Sequence, residues 1–112
     1  MLNKVTVLLC RQGCAAEVVK IENSLAGVQS LLGANDLETV KPWSPDVSVV
    51  YSHAAQLRDL QPNRRLYCED GEQTITLKGD FIIGLMPRGC REFLPMPRMV
   101  VDRYNKLTEV VL

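Results

Sequence analysis

The side chains of this 112-residue chain best suited to covalent or metal chemistry are four cysteines, Cys10, Cys14, Cys68 and Cys90, and a single histidine, His53. Zinc is normally held by two closely spaced ligand pairs, but here only Cys10 and Cys14 lie near each other. A thiol nucleophile needs a base to deprotonate and orient its sulfur, and His53, in a stretch that reads as a turn, is the only imidazole on offer. The expectation is therefore four reduced thiols, no metal site and no Cys–His catalytic pair. The first residues, Met1 to Val5, lack the long apolar region of an export signal, and no run approaches the length of a membrane span. A cytoplasmic, thiol-reducing setting with no membrane contact is expected.

Other catalytic designs are tested by their backbone and side-chain requirements. A phosphate-binding loop needs glycines that let main-chain N–H groups approach the phosphate, with a helix N-terminus behind them. Gly79 and Gly84 stand instead in a strand-rich segment with no following helix, so they read as backbone geometry. Glu69, Asp70 and Glu72 sit together on an acidic stretch that reads as a solvated turn and not as an acid–base pair. Neither a G-x-S-x-G elbow nor an H-E-x-x-H pair occurs. No catalytic residue or cofactor site is expected, and the chain is not read as an enzyme.

Charge points elsewhere. Thirteen Lys and Arg balance thirteen Asp and Glu, which disfavours a protein that binds nucleic acid or anionic membrane by bulk electrostatics. The segment from Arg88 to Lys106 is locally basic, with Arg88, Arg91, Arg98, Arg103 and Lys106 against Glu92 and Asp102. Arginines beside Phe93, Met96, Met99 and Tyr104 have the composition of a protein-contact surface, in which a planar donor lies next to adaptable apolar area. Arg64 and Arg65 form a separate basic pair that could hold a carbonyl or a phosphate. With Asn63 they read more naturally as bonding neighbouring backbone to fix a loop, and loss of the Asn63 side chain is expected to cost about 1–2 kcal/mol.

The elements that would position these residues follow from periodicity. At 46% hydrophobic and 23% charged, the chain has the composition of a single globular domain over residues 1–112. Lys4 to Cys10 and Ala15 to Ile21 read as a hairpin closed at Arg11-Gln12-Gly13-Cys14. A short helix follows, capped by Asn23 and ended by Gly33, with Leu25, Val28, Leu31 and Leu32 at helical spacing. Leu37 to Val40 and Val47 to Tyr51 form a second hairpin. Residues 53 to 65 read as a loop or single helical turn pinned by Leu57 and Leu60. Short strands then follow at Leu66 to Cys68, Thr74 to Leu77 and Phe81 to Leu85. A final helix from Pro97 carries a stripe of Val100, Val101, Tyr104, Leu107 and Val111 that should pack on the sheet. The fold class is α+β, a mostly antiparallel sheet built from hairpins with two helices.

Two stretches resemble a known family. These are Leu57-x-x-Leu60-x-Pro62-Asn63-Arg64, and the later run with Ile75, Gly79, Phe81, Ile83 and Gly84. Together with Val18-x-Lys20-Ile21-Glu22-Asn23-Ser24-Leu25 and Leu37-Glu38-x-Val40, they are similar to small uncharacterised proteins, labelled a domain of unknown function, from phages and mobile elements of Gram-positive bacteria. The resemblance implies a phage or mobile-element setting and brings no catalytic residues with it.

The leading expectation is a small non-enzymatic accessory protein that binds a host or element-encoded macromolecule, with countering a host defence as one form of that role. A protein partner is favoured, contacted through Arg88, Arg91, Met96 and Arg98 with Arg64 and Arg65. A nucleic-acid-associated regulator using the arginines is the second reading, and a small-ligand-binding domain the third. A homo-oligomer is compatible with either binding mode.

Overall fold

The structure is a computed structural model, and it describes residues 3–68, 72–87, 89–90, 92–106 and 108–110. Eight strands and three helices follow in the order β1 (Lys4–Cys10), β2 (Glu17–Glu22), α1 (Leu25–Leu32), β3 (Leu37–Val40), β4 (Val47–Ser52), α2 (His53–Leu57), β5 (Pro62–Tyr67), β6 (Thr74–Lys78), β7 (Phe81–Leu85), α3 (Arg98–Lys106) and β8 (Thr108–Val110). Two antiparallel sheets result, one ordered β2-β1-β7-β4-β3 and the other β6-β5-β8. The fold is α+β, as the patterning of the sequence implies.

The three central strands of the larger sheet are apolar on both faces because both faces are covered. Leu8 and Cys10 of β1, Val47 and Val49 of β4, and Phe81 and Ile83 of β7 share one core with Leu66 and Leu77 of the smaller sheet and Val101 and Tyr104 of α3. The alternate residues, Val5, Val7, Leu9, Val50 and Ile82, turn to the opposite face and meet Val28 of α1 and Phe93. Gly84 makes the second core possible, since a Cβ there would lie 2.5 Å from the Phe93 ring.

Several local expectations are corrected. Ser24, not Asn23, caps α1: it is extended, and its hydroxyl accepts from the Gly27 amide at 3.0 Å. Asn23 instead clamps the Phe93 backbone, donating to its carbonyl at 2.7 Å and accepting from its amide at 2.9 Å. Gly33 does close the helix in the left-handed region, at φ 62°. Leu57 and Leu60 pin nothing, because both are exposed. Gln56 holds that segment through the Ser52 and Lys78 carbonyls and the Lys78 amide. Strand β5 begins four residues before the expected Leu66: Pro62 is tolerated as its first residue, next to a bulge between Pro62 and Arg64. The last helix stops at Lys106, and Thr108–Val110 turns back as a strand on β5. Leu107 and Val111 of the expected stripe, like Glu69 and Asp70 of the acidic turn, lie outside the described residues.

Candidate partner-binding surface

Of the six expected contact residues, the structure brings few to the surface together. Arg88 and Arg91 lie outside the described residues. Met96 is 6% exposed and shares the core beneath α3 with Val101 and Tyr104, so it offers a partner the floor of a groove and not a projecting side chain. Arg64, at 1% exposure, is withdrawn as a contact. Its guanidinium donates to the carbonyls of Arg11 and Cys14, which flank the β1–β2 turn, and to the main-chain and side-chain oxygens of Asn63. Asn63 is also buried and donates to the carbonyls of Cys10, at 3.0 Å, and Gly79, at 2.8 Å. The expected backbone-bonding role of this pair is seen, but the backbone held belongs to β1 and to the β6–β7 turn as well as the local loop. Arg65 is exposed on β5, 3.8 Å from Glu109 of β8.

Among the described candidates, Arg98 stands at a surface depression. It opens α3 and, with Val18, Met96, Val101 and Asp102, lines a groove of about 450 Å³ between the helix and β2. Met99, 84% exposed, projects from the next position on the helix. Val18 and Asp102 went unnoticed in the sequence as surface residues. Val18 sits in a β-branched run, and nothing in such a run tells an edge strand from a central one. The groove combines an apolar floor with one cation and one anion, a composition suited to a polypeptide chain rather than to a polyphosphate.

The edge chemistry of β2 follows from its register. The Asn23 amide donates to the Asn3 carbonyl at 2.8 Å, one step beyond the Lys4–Glu22 pair. Bonded and non-bonded pairs alternate in an antiparallel ladder, so Ile21, Val19 and Glu17 bond inward to β1. The N–H and C=O groups of Val18 and Lys20, and the N–H of Glu22, consequently point away from the sheet. The Glu22 carbonyl is already taken by the Ser24 amide at 2.9 Å. Since Val18 pairs with Leu8, a residue of the α3-side core, its side chain lies on the groove side of the sheet.

A smaller cleft of about 200 Å³ lies on the opposite face between α1, β3 and β4, lined by Leu25, Val28, Leu37, Val50, Met86 and Phe93 among others. His53 lies 3.1 Å from the Glu38 carboxylate, and the Tyr51 hydroxyl donates to the same carboxylate at 3.3 Å. The imidazole is thus engaged by a carboxylate on the β3–β4 hairpin.

The cysteines separate by burial. Cys10 is fully buried, and desolvation pushes its thiol up to about 11, against a smaller opposing pull from the Arg64 charge. Cys14 and Cys90 are exposed. At pH 8 a rise from 9.0 to about 11 leaves Cys10 roughly 100-fold less thiolate than an ordinary thiol, and burial slows access further. Pulse labelling with N-ethylmaleimide, read by peptide mass spectrometry, should modify Cys14 and Cys90 at least about 100-fold faster than Cys10, with the difference vanishing in denaturant. Comparable rates in the folded protein would count against this burial.

The family described as "Domain of unknown function (DUF3846)" matches this chain over residues 5–109. Comparison with curated proteins and with solved structures finds no match.

Proposed function

Since the chain belongs to the DUF3846 family, a domain of unknown function, its role has to be read from its surface, and we propose that it is a non-enzymatic accessory protein that binds a protein partner through the groove between β2 and α3. The observation that carries this reading is the coincidence of that groove with a strand edge that is unpaired among the described residues and with exposed Arg98 and Met99. Apolar area flanked by an arginine and an aspartate supports protein recognition, in which a few central side chains supply most of the affinity. A phage or mobile-element setting in the cytoplasm is part of the proposal and rests on the sequence resemblance. The nucleic-acid reading loses support because Arg64 is buried, Arg65 faces Glu109, and Arg11 lies 3.3 Å from Glu17.

Affinity capture from the native host, with bound proteins identified by mass spectrometry, tests this. The wild-type chain is expected to enrich a specific protein that the Arg98→Glu/Met99→Asp variant loses by tenfold or more, with little change in melting because both positions are exposed. Equal recovery by the variant would remove the groove from the interface. Submicromolar binding to random-sequence duplex DNA at physiological salt, with a steep log–log salt slope, would favour the nucleic-acid class instead.

A further inference from the structure

We infer that the partner is bound as an extended strand added antiparallel to the edge of β2, which is unpaired among the described residues, with one apolar side chain seated in the groove beneath α3. This deepens the proposed function and rests on it. The outward N–H and C=O groups of Val18 and Lys20 form a two-residue repeat of donors and acceptors that only another main chain, in extended conformation, matches at every step. The groove lies on the side of the sheet to which Val18 points, so a residue placed opposite Val18 projects over Met96 and Val101, between Arg98 and Asp102. Val18 is 56% exposed, leaving that apolar surface uncovered in the free chain.

The edge also specifies charge. Residues directly opposite in an antiparallel pair share a face, and opposite charges there are favourable. The first turn of α1 closes the edge at Glu22, where a Cβ on Gly27 would lie 2.1 Å from the Glu22 carbonyl oxygen, so a strand running against β2 meets Lys20 and then Val18, and the matching segment reads acidic, any, apolar. A second copy of β2 fits poorly. Two-fold pairing about Val18 leaves Lys20 opposite Ala16, pairing about Val19 sets Lys20 against Val18, pairing about Lys20 sets two lysines face to face, and pairing about Ile21, which would match Lys20 with Glu22, is closed off by α1.

The probe is a capped nonapeptide of threonines carrying glutamate and leucine at its fifth and seventh positions. Titration into the full chain is followed by amide hydrogen exchange and by NMR. The Val18 and Lys20 amides are expected to gain at least tenfold protection at saturation, while those of Val19 and Ile21, already bonded to β1, change little. The peptide with these two side chains exchanged should bind at least tenfold more weakly. Lys20→Pro removes an outward N–H without touching the β1 ladder and should weaken binding at least tenfold with the Val19 and Ile21 amides still protected. Val18→Asp, at an exposed position, should do the same through the groove.

Equal binding of the two peptides, or protection confined to α3, would overturn the strand mode. So would protection of the Val18 and Lys20 amides that rises with protein concentration alone, since a second copy would then occupy the edge. If the probe fails while Arg98→Glu/Met99→Asp still abolishes capture, the partner-binding role stands and the strand mode falls. If the probe binds as expected but capture is unaffected by that variant, the strand mode stands and the role assigned to the groove is wrong.

Discussion

Arg64→Met is expected to destabilise the protein by about 3–5 kcal/mol, enough to bring a domain of this size close to unfolding. Methionine keeps much of the apolar volume, so the loss is not mainly one of packing. What disappears is the guanidinium bonded to the Arg11 and Cys14 carbonyls and to the Asn63 side-chain oxygen. Buried acceptors left unpaired each cost on the order of 1–3 kcal/mol. No carboxylate is paired with this guanidinium among the described residues; its charge is stabilised by carbonyl dipoles alone. Replacing it therefore relieves a desolvation cost, which sets the upper limit of the loss. Arg64→Lys should lose roughly half as much, because an ammonium cannot reach both ends of the β1–β2 turn with a planar fork. Urea unfolding followed by Trp43 fluorescence measures this. Trp43 is the sole tryptophan, its Nε1 donates to the Tyr67 carbonyl at 2.6 Å, and its ring centroid lies 4.8 Å from that of Tyr104. A loss below about 1 kcal/mol would show that water replaces the guanidinium without strain, and that Arg64 is not a keystone of the turn.

What was legible in the sequence was local. Alternating and continuous apolar runs located β1, β4, β6 and β7, and Gly33 marked the end of α1, because those signals arise within a few residues. The errors share a physical origin in long-range contact. Asn23 and Ser24 are equally good cap residues by type, and Phe93, seventy positions away, decided which one capped by engaging Asn23. Pro62-Asn63 has the chemistry of a turn, yet a bulged register with β6 and the demand of the Cys10 carbonyl turned it into a strand. Arg64 has the composition of a surface cation; its burial depends on carbonyls fifty and fifty-three residues away, which no periodicity reports. The groove was half visible: Arg98 and Met96 stood out by composition, whereas Val18 became part of it only through strand order.

Asn63→Ala is the second large effect. The sequence supported a single turn hydrogen bond worth about 1–2 kcal/mol, but the side chain makes three bonds to three elements and is fully buried. Alanine leaves the Cys10 and Gly79 carbonyls without the amide that bridges β1 to the β6–β7 turn, and it removes one acceptor from the buried Arg64 charge. The expected loss is about 3 kcal/mol. Because the Asn63 oxygen and the Arg64 guanidinium satisfy each other, the two substitutions should not add: the Asn63→Ala/Arg64→Met double variant is expected to lose about 1–2 kcal/mol less than the sum of the single losses. Additive losses would mean that the two side chains act on separate carbonyls with no shared stake. The same variant also separates structure from site. Asn63 lies on β5, away from the residues that line the β2–α3 groove, so Asn63→Ala that remains folded at low temperature should capture the partner as the parent does. If it melts like the parent yet loses the partner, Asn63 belongs to a binding surface and the backbone bonds drawn for it carry little of the stability.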